Sequence, residues 1–397
     1  MSRALQLLLL LSLLSSLFAC QHNDLSAAES QPPATIQTGA EQLSRYLPLL
    51  EGKRVGMLVN QTSRVGEQHL VDVLLQHNVN IVSIFAPEHG FRGDHDAGAS
   101  VSNGTDSKTG LPLLSLYGKN KKPSAAQMQQ LDLVIFDIQD VGVRYYTYIS
   151  SMHYLMEAAA ENGVAMLILD RPNPNGAYVD GPVLDLAFQS FVGMHPIPLL
   201  HGMTVAELAL MIKGEKWINQ ADKLKLEVIP VARYRRDMPY SLPVKPSPNL
   251  PNDQAIALYP SLGFFEATPL SVGRGTDFAF QVIGFDQFGP QDFRFTPVST
   301  PGAALTPPLM NKNLFGEELR QVKTAGLDLS YLLRWQQRFH AHNTEFFSSA
   351  AFMDKLAGTD SLRLQISQGM TEQDIRASWQ KGLQLFKQQR QPYLLYP

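Results

Sequence analysis

The sequence predicts an α/β protein: a Rossmann-like, mostly parallel sheet domain followed by a smaller α+β domain. Three observations predict this. Short apolar runs alternate with helix-like segments through the first part of the chain, polar residues stand at the exit of each run, and the texture turns Pro- and Gly-rich from about Pro246. Apolar strands buried on both faces and joined by helices form parallel sheets with right-handed crossovers. A chain of 397 residues exceeds what one ordinary core supports, so two domains are expected.

The chain opens MSRALQLLLLLSLLSSLFAC, with Arg3 ahead of an apolar stretch too short to span a bilayer comfortably but suited to a signal-peptide core. Leu17, Phe18, Ala19 and Cys20 resemble a bacterial lipobox. Residues 1–20 are therefore expected to be a lipoprotein-type signal peptide, with lipidation at Cys20 and export to a membrane. Gln21 after the cysteine points, by resemblance to enterobacterial sorting, to the periplasmic face of the outer membrane. Cys20 is the only cysteine, so an exported chain must hold itself together through its cores and not through disulfides. Residues 21–36 are polar and poor in bulky apolar groups, as a flexible linker is.

Residues 37–240 are expected to form the Rossmann-like domain. Thr38 and Glu41 have capping-box spacing, and Arg54 to Asn60 (RVGMLVN) reads as a buried strand. A helix over GEQHLVDVLLQHN and a strand over Val79 to Phe85 follow. A long loop then runs from Ala86 to about Lys122, of the kind that forms lids or binding loops. SAAQMQQL is helix-like, Leu131 to Asp137 is the third strand, SSMHYLMEAAAENG a helix, and Val164 to Asp170 the fourth strand. Thr204 and Glu207 make a second capping box, and Leu224 to Val231 closes the domain as a strand. Residues 241–397 then read as the smaller α+β domain, with short strand-like runs and a closing amphipathic helix over TEQDIRASWQKGLQLFKQQRQ.

Composition and missing motifs exclude several functions. A net charge of −3 with 17% charged residues offers no basic stripe for a phosphate backbone, so no nucleic-acid partner is expected. No G-x-G-x-x-G follows the first strand, no P-loop and no G-x-S-x-G elbow occur, and no cofactor is expected. His89, His95, Asp96, Asp137 and His201 have no recognised ligand spacing, so no metal is expected either.

What remains is carboxylates, arginines and aromatics near strand exits. Asn60 and Gln61 follow the first strand, Glu88 and His89 the second, Asp137, Gln139, Asp140 and Arg144 the third, and Asp170, Arg171 and Asn173 the fourth. In an open α/β sheet these positions share one rim. Such a set suits acid-catalysed cleavage of an acetal, in which one carboxylic acid protonates the leaving oxygen and a second group stabilises or attacks the oxocarbenium-like centre.

The segments VGMLVNQTS, FAPEHGFRGDHDAG, LPLLSLYG, DLVIFDIQDVGVRYYTYISSMHYLMEAA, LILDRPNPNG, SFVGMHPIPLLHGMTVAELA, PSPNLP and SVGRGT resemble, in order, those of the exo-β-N-acetylmuramidase family (NamZ/YbbC-type). The resemblance implies a glycoside hydrolase of cell-wall turnover and recycling, with its active-site cleft between the two domains. It would release N-acetylmuramic acid from the non-reducing end of peptidoglycan-derived saccharides or muropeptides. It also implies that Glu88, the glutamate of PEHG, is the general acid. For the second role Asp137 and Asp140 are candidates, by direct attack, by water activation or by orienting the sugar's 2-acetamido group. His89 is expected to orient Glu88 or a sugar hydroxyl. Substrate contacts are expected from Asn60, Gln61, Tyr117, Gln139, Tyr146, Asn173, His201 and Glu266, with Tyr145 and Tyr148 as further stacking candidates. The lactyl carboxylate of muramic acid calls for an arginine: Arg274 first, Arg92 second, with Arg144 and Arg171 also on the rim and Arg171 expected to pair with Asp170. The alternative is a non-catalytic muropeptide-binding lipoprotein using the same cleft.

Overall fold

The computed structural model describes residues 35–88, 90–92, 103–289 and 293–397, and Ile36–Pro397 form one compact unit. Cys20, the signal-peptide segment, residues 21–34 of the expected linker, His89, His95 and Asp96 lie outside the described residues.

The strands of the first half are β1 Val55–Val59, β2 Arg64–Val65, β3 Gln68–His69, β4 Ile81–Ala86, β5 Gly104–Thr105, β6 Pro112–Ser115, β7 Leu133–Asp137, β8 Ala165–Leu169, β9 Asp180–Val183, β10 Pro198–Leu200 and β11 Leu226–Ile229. Seven of them form one sheet in the order β11-β8-β7-β1-β4-β6-β5. Its pairings are parallel except that of β5 with β6. Apolar side chains alternate across this sheet, as a period of two requires. Leu58, Val134, Phe136 and Ile168 enter one core, and Met57, Val59, Ile135 and Leu167 enter the other. Helices α1 Tyr148–Asn162 and α2 Val205–Gly214 bury their apolar residues in the first of these cores.

The second half holds α3 Asp253–Leu262, a three-stranded antiparallel sheet of β12 Val282–Phe285, β13 Phe293–Phe295 and β14 Leu314–Glu318 in the order β12-β14-β13, and α4 Ala350–Ala357 among several further helices. A mostly parallel sheet with a smaller α+β part is thus the architecture that the apolar runs and the later Pro- and Gly-rich texture predict. One hydrophobic cluster runs from Leu58 through α3 to Phe386 near the end of the last helix, so the two halves share a core.

Three local expectations change. The helix expected from Gly66 begins only at Leu70, because Arg64–Val65 and Gln68–His69 pair as an antiparallel ribbon and His69 caps the helix start through its ring. The loop expected from Ala86 to Lys122 contains β5 and β6, and β6 extends the main sheet beside β4. Thr38 and Glu41 do bond to each other at 2.7 and 2.9 Å, yet the helix that follows starts at Leu43 with Gln42 before it. The Thr204 and Glu207 box caps α2 as its spacing predicts.

Candidate functional site

By strand order the ligand crevice of this sheet belongs at the switch point, between the carboxyl ends of β1 and β7. That position is filled. Ser63 Oγ donates to the Asp137 carbonyl, Gln139 N donates to Thr62 Oγ1 at 3.0 Å, and Asn60 Oδ1 accepts from the Thr62 amide and hydroxyl at 2.9 and 2.6 Å. The open cleft lies to one side, past β4 and β6, and has a volume of about 200 Å³. Glu88, Tyr117, Tyr145 to Tyr148, Tyr259, Glu266 and Arg274 supply most of its polar and aromatic wall.

Glu88 enters the cleft because β4 ends at Ala86 and the chain turns at once: Gly90 N bonds the Pro87 carbonyl at 3.0 Å with Gly90 at φ +78°, a left-handed conformation that favours glycine. The Tyr117 hydroxyl donates to Glu88 Oε1 at 2.9 Å, and Thr147 Oγ1 donates to Oε2 at 3.1 Å. Tyr117 follows β6, and Thr147 precedes α1, so two elements hold one carboxyl group. Burial, and then the charge of Glu88, push the Tyr117 phenol well above its ordinary range, which keeps it a donor.

The wall opposite comes from the second half. Tyr146 donates to the Pro246 carbonyl at 2.6 Å, and Gln61 Nε2 reaches the carbonyls of Lys245 and Pro246 at 3.2 Å each. These bonds seat the PSPNLP segment, which presents Ser247, Asn249 and Leu250 to the cleft. Tyr145 holds α3 by donating to the carbonyls of Tyr259 and Pro260 at 2.7 and 2.9 Å. Arg274 Nε and Nη2 both reach Glu266 Oε1, at 2.8 and 2.6 Å, and the guanidinium lies 5.0 Å from the Phe280 ring centre.

Of the residues singled out in the sequence, the structure brings Glu88, Tyr117, Tyr145, Tyr146, Tyr148, Glu266 and Arg274 together in the cleft. Other candidates stand elsewhere. Asp137 is wholly buried and chelated by Arg171, at 2.6 and 2.9 Å. Arg171 therefore pairs with Asp137 and not with Asp170, which instead accepts from Thr204, Ala206 N and Tyr396 at the start of α2. Asp140 is buried, accepts from Gly142 N at 2.6 Å, and has His201 Nε2 4.0 Å away. Burial raises the Asp140 carboxyl to about 7 and lowers the His201 imidazole to about 3. Gln139 Nε2 bonds the carbonyls of Asp140 and Pro172, and Asn173 Nδ2 that of Met203. Arg144 is fully buried and donates to the carbonyls of Pro182, Ile197, Leu356 and Ala357. Arg92 is held bidentately by Asp106 at 3.0 and 2.8 Å. None of these lines the cleft. Their polar atoms are satisfied elsewhere; those at strand exits find buried partners inward as readily as outward.

Thr147, Phe191, Ser247, Asn249, Tyr259 and Phe280 line the cleft without having been singled out. The run Tyr145-Tyr146-Thr147-Tyr148 at a helix start carried a signal for Thr147, and Phe191, Ser247 and Asn249 lie in the segments SFVGMHPIPLLHGMTVAELA and PSPNLP; nothing local marked Tyr259 or Phe280. Among the described residues no group of three or more His, Cys, Asp or Glu is placed to hold a metal ion.

Fold and cleft together define a class: an α/β protein whose carboxylate- and aromatic-lined pocket is suited to a saccharide. Comparison with known proteins supplies the family. The N-terminal model of the exo-β-N-acetylmuramidase NamZ matches residues 55–254, and the C-terminal model matches residues 257–396. The chain belongs to this family. It is 38% identical over 384 residues to the peptidoglycan β-N-acetylmuramidase NamZ of Bacillus subtilis (strain 168), covering 91% of each chain. Two crystal structures of DUF1343 family proteins from Bacteroides fragilis NCTC 9343 superpose on it. One has a TM-score of 0.84 at 46% identity, covering 91% of this chain and 99% of the other; the second has 0.80 at 30%, covering 92% and 100%.

Proposed function

We propose that this protein is an exo-acting β-N-acetylmuramidase that releases N-acetylmuramic acid from the non-reducing end of peptidoglycan fragments during cell-wall turnover and recycling, with Glu88 as the general acid. The observation that carries the reading is the setting of Glu88: a carboxyl group at a strand exit, held by the hydroxyls of Tyr117 and Thr147 at the wall of a cleft lined with tyrosines. Hydroxyl partners fix its direction while leaving a proton transferable. The tyrosine faces suit the apolar faces of a sugar ring. Arg274 is the arginine of the cleft wall, and its Nη1 makes no hydrogen bond among the described residues, so it is the cation offered to the lactyl carboxylate. The same reading has the chain exported and tethered through a lipidated Cys20, at the periplasmic face of the outer membrane, where such fragments arise.

Turnover of a nitrophenyl muramoside by the purified protein tests the activity. Glu88→Gln is expected to fold and to bind, and to lower turnover of a muramic acid–glucosamine disaccharide by roughly a hundredfold or more. The loss on the nitrophenyl substrate should be much smaller, since that leaving group needs little protonation. Equal losses on both remove Glu88 from the role of acid. Binding without any turnover by the unaltered protein makes it a muropeptide receptor.

A further inference from the structure

Acetal cleavage with an acid at Glu88 leaves a second group to be found, and Asp137 and Asp140 are both buried, bonded to Arg171 and Gly142, and do not line the cleft. Among the described residues of the cleft wall one other carboxylate is present, Glu266. It is anchored through one oxygen: Arg274 Nε and Nη2 converge on Oε1, while Oε2 makes no hydrogen bond among the described residues. The Glu266 side chain is 27% exposed, so it is accessible from the cleft. Both cleft carboxylates act on the same phenol. Burial first, then the charge of Glu266 and, more weakly, that of Glu88, push Tyr259 above its ordinary range, with Arg274 pulling the other way. Glu88, Tyr259 and Glu266 line the same cleft.

We propose that Glu266 is the second catalytic carboxylate, and that it accepts a hydrogen bond through Oε2 from the N–H of the sugar's own 2-acetamido group while that group's carbonyl oxygen attacks C1. This rests on the muramidase reading above. The ion pair selects this role over the two alternatives. Arg274 is itself largely buried; burial works against its charge, and Glu266 more than offsets it, holding the guanidinium above its ordinary range. If Glu266 attacked C1 it would become a neutral ester, and if it took a proton from water it would become a neutral acid. Either step strands a buried cation at the moment of reaction. Accepting a hydrogen bond leaves the carboxylate charged throughout, and an ionised carboxylate is a pure acceptor.

In the first step the carbonyl oxygen bonds to C1 as the C1–O bond to the leaving sugar breaks. That electron pair departs with the oxygen, which takes the Glu88 proton. The cationic five-membered ring so formed keeps its N–H on Glu266. In the second step water bonds to C1 from the face that the leaving sugar vacated and gives its proton to Glu88, and the ring C1–O bond reopens to the acetamide. The sum is hydrolysis, with the anomeric configuration retained and Glu88 protonated again.

The test uses the full-length protein and nitrophenyl muramosides whose N-acetyl group carries none to three fluorines. Wild-type turnover is expected to fall by about a hundredfold or more across the series, because fluorine weakens the attacking carbonyl, and the first-formed product should retain its configuration. Glu266→Gln is expected to lower kcat about a hundredfold with KM within about threefold. A rate indifferent to fluorine, an inverted product, or Glu266→Gln turning over within about threefold of wild type overturns the proposal. So does a glycosyl azide formed when azide is added to Glu266→Ala, which is the mark of a direct nucleophile. Should Glu266→Gln not fold, Glu266→Asp retains the charge that Arg274 needs, and its expected loss in kcat with normal unfolding replaces that readout. Absence of wild-type turnover on the parent muramoside is a different outcome: it removes the muramidase reading itself.

Discussion

At the scale of single residues, what separates a site residue from a strut is where its polar atoms find partners. Arg92 and Arg274 both sit in motif segments, yet Arg92 is spent on Asp106. Burial opposes the ionised form of Asp106, but Arg92 and Thr109 outweigh it and hold that carboxyl near 2. Arg274 faces the cleft with Nη1 uncommitted among the described residues. Arg274→Met is therefore expected to reduce the preference for muramosides over glucosaminides by the equivalent of about 1.5–3 kcal/mol, the usual contribution of a charge-assisted hydrogen bond. Because Arg274 also holds Glu266, kcat should fall on both sugars, so the ratio of kcat/KM values is the readout. Arg92→Met should leave that ratio unchanged. An unaltered ratio in Arg274→Met places the lactate reader elsewhere.

At the scale of elements, two features beneath the cleft have measurable consequences. Arg144 closes the carboxyl end of α4, where a cation is favoured by the helix dipole and by the unpaired carbonyls of the last turn. It precedes Tyr145 and Tyr146, so it also anchors the cleft's aromatic wall from below. Arg144→Met is expected to cost at least about 3 kcal/mol in urea unfolding, since buried acceptors left unpaired cost about 1–3 kcal/mol each. A variant as stable as wild type would show that water replaces the guanidinium. The second feature is on α1, where His153 Nδ1 lies 2.9 Å from His195 Nε2 and both rings are buried. Burial lowers His153 from 6.5 to about 4 and also holds His195 well below its ordinary range. A folded-state pKa below the unfolded one means that unfolding takes up protons between these values. The stabilisation is complete above about pH 6.5 and is lost as the pH falls toward 4. His153→Asn should flatten the pH dependence in that window by up to about 1.4 kcal/mol per pH unit. An unchanged slope would mean that His153 does not titrate with unfolding.

At the scale of the whole molecule, the two halves are also joined through residues that do not line the cleft. The closing residues return to the first half, where Leu395 N and Tyr396 N reach Glu207, and Arg236 joins Glu207 to the Tyr396 carbonyl. The cleft walls thus belong to one body with a common core, which suits a site that must hold a terminal sugar in fixed register. The other whole-molecule question is place. No helix among the described residues is long and apolar enough to cross a membrane; the tether proposed above is Cys20. Lipidated at that cysteine, the protein should fractionate with membranes, and Cys20→Ser should release it, because more than one acyl chain is needed for stable anchoring. A Cys20→Ser protein that stays wholly with the membrane fraction would refute lipid anchoring there.

The parallel strands were legible in the sequence because a strand buried on both faces must be apolar throughout, as Val55–Val59 and Leu133–Asp137 very nearly are. Glu88 and the tyrosine cluster before α1 were legible as well, since titratable and aromatic groups packed into short segments stand out against any background. Tertiary structure alone decided which polar residues face the cleft. Asp137 meets Arg171, Gln61 meets Lys245 and Pro246, and Arg144 meets Leu356 and Ala357, each through contacts between residues far apart in the chain. A strand-exit position says that a side chain is near the rim. Whether it points into solvent or into a buried partner depends on segments that local pattern cannot place beside it. For the same reason the crevice that strand order assigns to β1 and β7 is filled by Asn60, Thr62, Ser63 and Gln139, and the cleft stands beside it, lined by Glu88 and Glu266 from opposite halves of the chain.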